Sequence, residues 1–167
     1  MLTREQFLPH EMRIVAALRM QGASDEQVIV RVKSENLFQY PTERMVANRA
    51  TVCLRRLDAM VPTDAVCAAR GIDPKTAVEA ASSLTRLMTS GTPTQADQAI
   101  FYSMICRYDI VRELVLVEVG ERLQNFDYAF TAVDLNAFMT RFTTEYPDAA
   151  RWTCLLYTSD AADDTPC

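Results

Sequence analysis

Apolar positions recur at three- and four-residue intervals along most of the chain, and no run alternates strictly between apolar and polar residues, so the pattern predicts helices rather than strands. Pro9 suits a first helical position, Met12, Val15, Ala16 and Leu18 form an apolar stripe, and Gly22 sits where a left-handed residue stops the helix. Ser24 to Gln27 reads as a capping box opening a second helix, with Val28, Ile29 and Val32 on its inner side and an end near Asn36. After the loop Leu37 to Pro41, Thr42 caps a longer third helix that runs to about Met60 and is stopped by Pro62. Beyond it, Asp73 and Pro74 start a helix through Met88, and Ser90 to Pro93 break it. Thr94 or Gln95 then starts another through Arg107 or beyond. Ile110 to Gln124 continues with Val111, Leu114, Val115 and Val119; β-branching in Leu114 to Val119 imitates a strand, but the period favours a helix. Asp134 caps a last helix, Leu135 to Tyr146, closed by Pro147. The expected class is all-α, with a three-helix, helix-turn-helix-like unit over residues 1–61 and a helical bundle over 62–153.

The third helix carries the most information. At about 100° per residue from Arg44, the residues Asn48, Thr51 and Arg55 fall within roughly 40° of it, while Arg49 and Arg56 lie at roughly 120–140°. Val46, Ala47, Ala50, Cys53, Leu54 and Leu57 occupy roughly 180–300°, the side that packs inward. An apolar side opposite four arginines, Asn48 and Thr51 is what a helix entering a major groove offers, since Arg pairs with guanine and Asn with adenine. The competing reading is a solvated helix face with incidental charge. In a helix-turn-helix the second helix of the motif enters the groove; here either helix two, with Arg31 and Lys33, or helix three fits that role.

Charge along the chain sharpens this picture. The 167 residues carry a net charge of −5, which argues against a chain that coats nucleic acid nonspecifically. The average conceals a split: residues 1–60 hold nine Lys and Arg against seven Asp and Glu, residues 61–153 eight against twelve, and residues 154–167 none against three. Lys33 and Lys75 are the only lysines, so the basic excess is arginine, the better fork for phosphates and base edges. With 49% hydrophobic and 23% charged residues, the composition is that of a folded domain with a core and excludes disorder. The richest apolar run, Leu114 to Val117, is closed by Glu113 and Glu118, so no membrane span is expected. Met1 to Phe7 contains Arg4 and Glu5 and no apolar core of a secretory signal, which points to a cytoplasmic location.

Catalytic chemistry finds little support. His10 has no Ser and Asp companions and reads as a surface or capping residue. Glu118 and Glu121 fall at helical spacing and read as a solvated face. Four glycines and no phosphate-cradling motif leave no nucleotide loop, and Cys53, Cys67, Cys106, Cys154 and Cys167 show no metal or disulfide spacing. The five cysteines are therefore expected as reduced, mostly buried thiols, with no metal, no cofactor and no enzyme activity. Tyr102, Tyr108, Phe126, Tyr128, Phe130, Phe138, Phe142, Tyr146 and Trp152 gather the aromatics in the second half, where the acidic surroundings favour core or a partner groove over base stacking. The string Cys154 to Asp164 resembles the translated read-through of a transposon-based sequencing adapter, so residues 154–167 are expected to be non-native and the natural protein to be longer.

The segments Glu11 to Ser24, Asn36 to Tyr40, Thr42 to Arg44 with Ala47 and Arg49, and Leu54 to Leu57 resemble the BrxA family in their order and spacing, and the resemblance covers most of residues 8–153. It implies a small all-helical, NusB-like component of BREX anti-phage defence systems that binds double-stranded DNA without catalysis, beside the other BREX components. The positions that match the arginine-rich helix of that family are Arg44, Arg49, Arg55 and Arg56. The family has also been described as a putative inner-membrane protein, which the hydropathy of this chain does not support. The rival expectation is a protein–protein scaffold whose acidic, aromatic second half docks a partner.

Overall fold

A computed structural model describes residues 7–146, all of whose regular elements are helical. The adapter-like string and Trp152 lie outside the described residues. The helices are α1 Pro9–Met20, α2 Asp25–Ser34, α3 Glu43–Ala59, α4 Asp64–Arg70, α5 Pro74–Ser90 and α6 Pro93–Arg107. A continuous helical stretch follows, made of α7 Asp109–Glu113, a π-helical turn Leu114–Val119 and α8 Gly120–Gln124, and then α9 Ala132–Glu145.

Local signals set these boundaries. Pro9 opens α1, and the left-handed Gly22, at φ 84°, closes it; the backbone N–H of Ala23 donates to the Leu18 carbonyl, as a Schellman stop requires. The Ser24 hydroxyl accepts from the Gln27 N–H while the Gln27 side chain accepts from the Ser24 N–H, the reciprocal capping box. Thr42 caps α3 through the Met45 N–H. Helix α4 is an element the apolar period did not predict, because seven residues hold too few turns to display one; its Thr63 cap and left-handed Gly71 are nevertheless present. Helix α6 starts at Pro93, ahead of the expected Thr94 or Gln95, because Thr92 and Gln95 form a second box across that turn. In α9 the expected cap, Asp134, lies one turn further in: its carboxylate accepts from the N–H and hydroxyl of Thr131, which stands just before the helix.

By compactness the described chain divides between residues 107 and 108, not at the sequence-based boundary after 61. Residues 7–107 share one core in which Met12, Val15, Val28, Val32, Val46, Cys53, Met88 and Ile100 are almost entirely buried. Helix α1 packs on α3 and α5, α2 on α3, and α6 on both α3 and α5. The reason for the shift is that α5 and α6 contribute Ala81, Met88, Ala99 and Ile100 to the same cluster as α1–α3. In residues 108–146, Ile110, Val111, Phe138 and Phe142 are buried and Phe142 stacks on Tyr146 at 4.5 Å. No helix among the described residues is long and apolar enough to cross a membrane.

Candidate nucleic-acid interface

Helix α3 separates its two sides cleanly. Val46, Ala50, Cys53, Leu54 and Leu57 are buried, and the opposite side presents Arg44, Asn48 and Arg55 to solvent. The eleven steps from Arg44 to Arg55 correspond to about 16 Å of helix rise, so the three polar groups form a row along one side. Thr51 lies in that row but is half-buried, and its hydroxyl donates to the Ala47 carbonyl at 2.9 Å, which leaves it less free to meet a ligand. Neither Arg44 nor Arg55 has an acidic partner among the described residues. A carboxylate held against either would cancel its charge toward an anionic ligand; here both arginines are exposed, with no such carboxylate among the described residues.

The other predicted contacts sit elsewhere. Arg56 has 0% exposure, and its Nη1 donates to the Phe7 carbonyl at 3.0 Å, so this arginine is an internal strut and is removed from the exposed row. Its position at roughly 120–140° from Arg44 lies at the edge of the apolar sector, where a long side chain can reach inward past the helix. Arg49, at the same edge, is half-buried and acts electrostatically on Tyr40. On α2, the exposed Arg31 pairs with Glu35 at 3.2 Å, and Lys33 pairs with Glu43 at 3.1 Å, tying the end of α2 to the start of α3. Of the eight predicted residues, the fold thus brings Arg44, Asn48 and Arg55 together on one exposed side, with no acidic partner for the two arginines among the described residues, and with Thr51 in the same row. It engages Arg31 and Lys33 with carboxylates and turns Arg49 and Arg56 away.

A short hydrogen bond from the Tyr40 hydroxyl to the buried Glu11 carboxylate fastens the loop before α3 to α1. Burial first, and then this bond to a negative acceptor, push the Tyr40 phenol up to about 12, with the charge of Arg49 opposing. In an unfolded chain the phenol titrates near 10. The folded state therefore holds the proton longer, and the resulting stability is present below pH 10 and lost as pH rises from about 10 to about 12. Tyr40→Phe is expected to lower unfolding free energy at pH 8 by about 1–3 kcal/mol, because Glu11 loses its donor. The gap to the parent should narrow in urea titrations run at pH 11.

One neighbouring group escaped the sequence-based reading. Arg107, at the end of α6, lines the same surface depression as Arg55, together with Asp58, Thr63 and Cys106. The two arginines are 52 positions apart, and only the packing of α6 on α3 joins them, so no local signal marks the pair.

In residues 108–146 the cations are spent on internal pairs. Glu118 lies between Arg141 at 2.5 Å and Arg122 at 3.3 Å, and Arg122 also reaches Asp127 and Asp134, each at 2.7 Å. The hydrogen bond from Arg141 holds the Glu118 carboxyl below its ordinary range, and those from Thr131 do the same for Asp134. Glu118 is thus the centre of an ion network, where a solvated face was expected; its partner in that expectation, Glu121, is exposed. The aromatics divide as well: Tyr108, Phe138 and Phe142 are buried, but Phe126 is 78% and Tyr128 is 74% exposed, contrary to a core assignment. Both stand in the short segment between α8 and α9, which Arg122 braces from within by bonding Asp127 and the Ala129 carbonyl. His10 is exposed at the start of α1. No group of three or more His, Cys, Asp or Glu that could hold a metal ion occurs among the described residues.

The family model described as BrxA matches residues 1–155 of the chain. No curated protein and no solved structure matches it.

Proposed function

The chain belongs to the BrxA family, and from that premise we propose that it is a cytoplasmic, non-enzymatic accessory of a BREX-type phage-defence system that binds double-stranded DNA through the exposed side of α3. One observation carries the proposal: Arg44, Asn48 and Arg55 form a solvent-facing row without acidic partners among the described residues, on a helix whose other side is fully anchored in the core. Rigid backing matters, because a helix held by its apolar side delivers its polar side chains without a further ordering cost. Arg44 and Arg55 suit phosphate or guanine, and Asn48 suits adenine. Between α2 and α3, the exposed row favours α3 as the helix that meets the groove; Arg31 and Lys33 would give up Glu35 and Glu43 to take flanking phosphates. Residues 7–107 hold twelve Lys and Arg against ten Asp and Glu, whereas 108–146 hold three against seven, so the duplex is assigned to the first unit.

The test is binding of the full chain to a labelled duplex across a salt series. The expected result is an affinity that falls linearly on a log–log plot, with a slope of about −0.9 per phosphate neutralised. A salt-independent interaction, or none, would overturn the reading.

A second reading, docking of another BREX component on residues 108–146, is favoured by the braced and exposed Phe126 and Tyr128 in an acidic unit. Aromatic side chains held in place and open to solvent are the usual anchors of protein interfaces. The two readings use different units and are compatible.

A further inference from the structure

We propose that the depression where α3 meets α6 is a backbone-phosphate site, in which Arg55 and Arg107 grip one phosphate of the duplex and thereby fix the register of α3 on the DNA. The inference rests on the duplex-DNA reading above and adds a residue and a role to it. The depression encloses about 520 Å³ and opens to solvent. Arg55 lines it from α3 and Arg107 from α6, so two arginines from different helices border one concavity. Guanidinium forks match the tetrahedral oxygens of a phosphate better than any other common anion-binding group. The carboxylate that shares the depression, Asp58, lies 2.8 Å from Arg19 Nη2, which also pairs with Asp25 at 2.5 Å, so the charge of Asp58 is offset in part toward an entering phosphate. Val61 and Pro62 add an apolar wall against which a deoxyribose can rest.

Location assigns the role. Arg55 ends the row that begins at Arg44, about 16 Å away, and Arg107 lies beyond that end on another helix. A contact there falls on the backbone that borders the groove. Backbone contacts carry no sequence information and instead fix how the reading helix is placed.

Duplex binding by the full chain, by R55Q, by R107Q and by the double variant, each over a salt series and on two duplexes of unrelated sequence, tests the site. Each single variant is expected to weaken binding about tenfold, equally on both duplexes. The double variant should lose less than the product of the single losses, because both arginines act on one phosphate, and should flatten the log–log salt slope by about one. R107K beside R55Q should recover the slope lost in the double variant while regaining only part of the affinity, since a point charge replaces a fork. Unchanged affinity in R107Q overturns the site while leaving the α3 reading intact. Losses that multiply, with a slope change near two, overturn the shared phosphate. Losses that differ between the duplexes assign Arg107 to base readout and overturn the backbone role. A parent chain that binds neither duplex removes the DNA reading and this site together.

Discussion

Arg56→Glu is expected to leave the chain unfolded, whereas Arg44→Glu and Arg55→Glu leave it folded, although all three residues belong to one helix. Arg56 has 0% exposure and donates to the Phe7 carbonyl at 3.0 Å. A glutamate there turns that donor into a second acceptor facing the same carbonyl and buries a charge with no cation in place of the lost one. The effective penalty for a buried unpaired ion is several kcal/mol, which is comparable to the whole stability of an ordinary domain, about 5–15 kcal/mol. Arg56→Met keeps most of the stem and removes the hydrogen bond to Phe7 without burying an opposite charge, so its expected cost, at least about 1–3 kcal/mol, is smaller than that of Arg56→Glu. Far-UV circular dichroism and urea unfolding of the three variants distinguish these cases. An Arg56→Glu chain with the parent's unfolding midpoint would mean that this side chain lies at the surface. The same numbers dictate how the DNA interface has to be probed: a charge reversal that includes Arg56 abolishes binding by unfolding the chain and reports nothing about contacts.

The double variant Arg44→Glu/Arg55→Glu is expected to retain the parent's stability within about 0.5 kcal/mol, because both side chains are exposed and have no acidic partner among the described residues. Its affinity for a duplex at about 0.1 M salt should fall by about 100-fold or more. Each lost arginine contact contributes about 1–3 kcal/mol, and each introduced carboxylate repels the phosphates it now faces. Asn48→Ala behaves differently under the same reading. A neutral amide contributes little to the salt slope, so its loss should narrow the difference between preferred and unrelated sequences and leave the slope unchanged. Fluorescence anisotropy with labelled duplexes measures both effects. Full affinity in the folded double variant would move the interface off α3.

Much of the helical framework is readable locally. The Ser24 box, the Thr42 cap, the Asp73 cap with Pro74 and the Gly22 stop each involve residues within one turn of one another, and each occurs where its sequence signal stands. The all-α class and the BrxA resemblance stand for the same reason: they depend on order, spacing and period. Local reasoning fails where an element is too short to show a period, as in α4, or where two caps compete, as Thr131 and Asp134 do at α9. The stretch Leu114 to Val119 is helical as its period indicated, but takes a π-helical form that β-branched composition alone does not announce.

The sequence by itself determined which side of α3 faces inward, because a 3.6-residue period fixes every side chain's direction once the apolar stripe is known. That was enough to place Arg44, Asn48 and Arg55 in one exposed row. It was not enough at the border of the stripe, where Arg49 and Arg56 have the same angular position class as many surface arginines. Their fates were decided by what α3 packs beside: the Phe7 carbonyl for Arg56, and the Tyr40 and Glu11 pair for Arg49. The meeting of Arg55 with Arg107 likewise exists only because α6 lies against α3. A period acts over one turn of chain, whereas a buried strut or a shared depression joins residues tens of positions apart, and only the packed core brings such residues together.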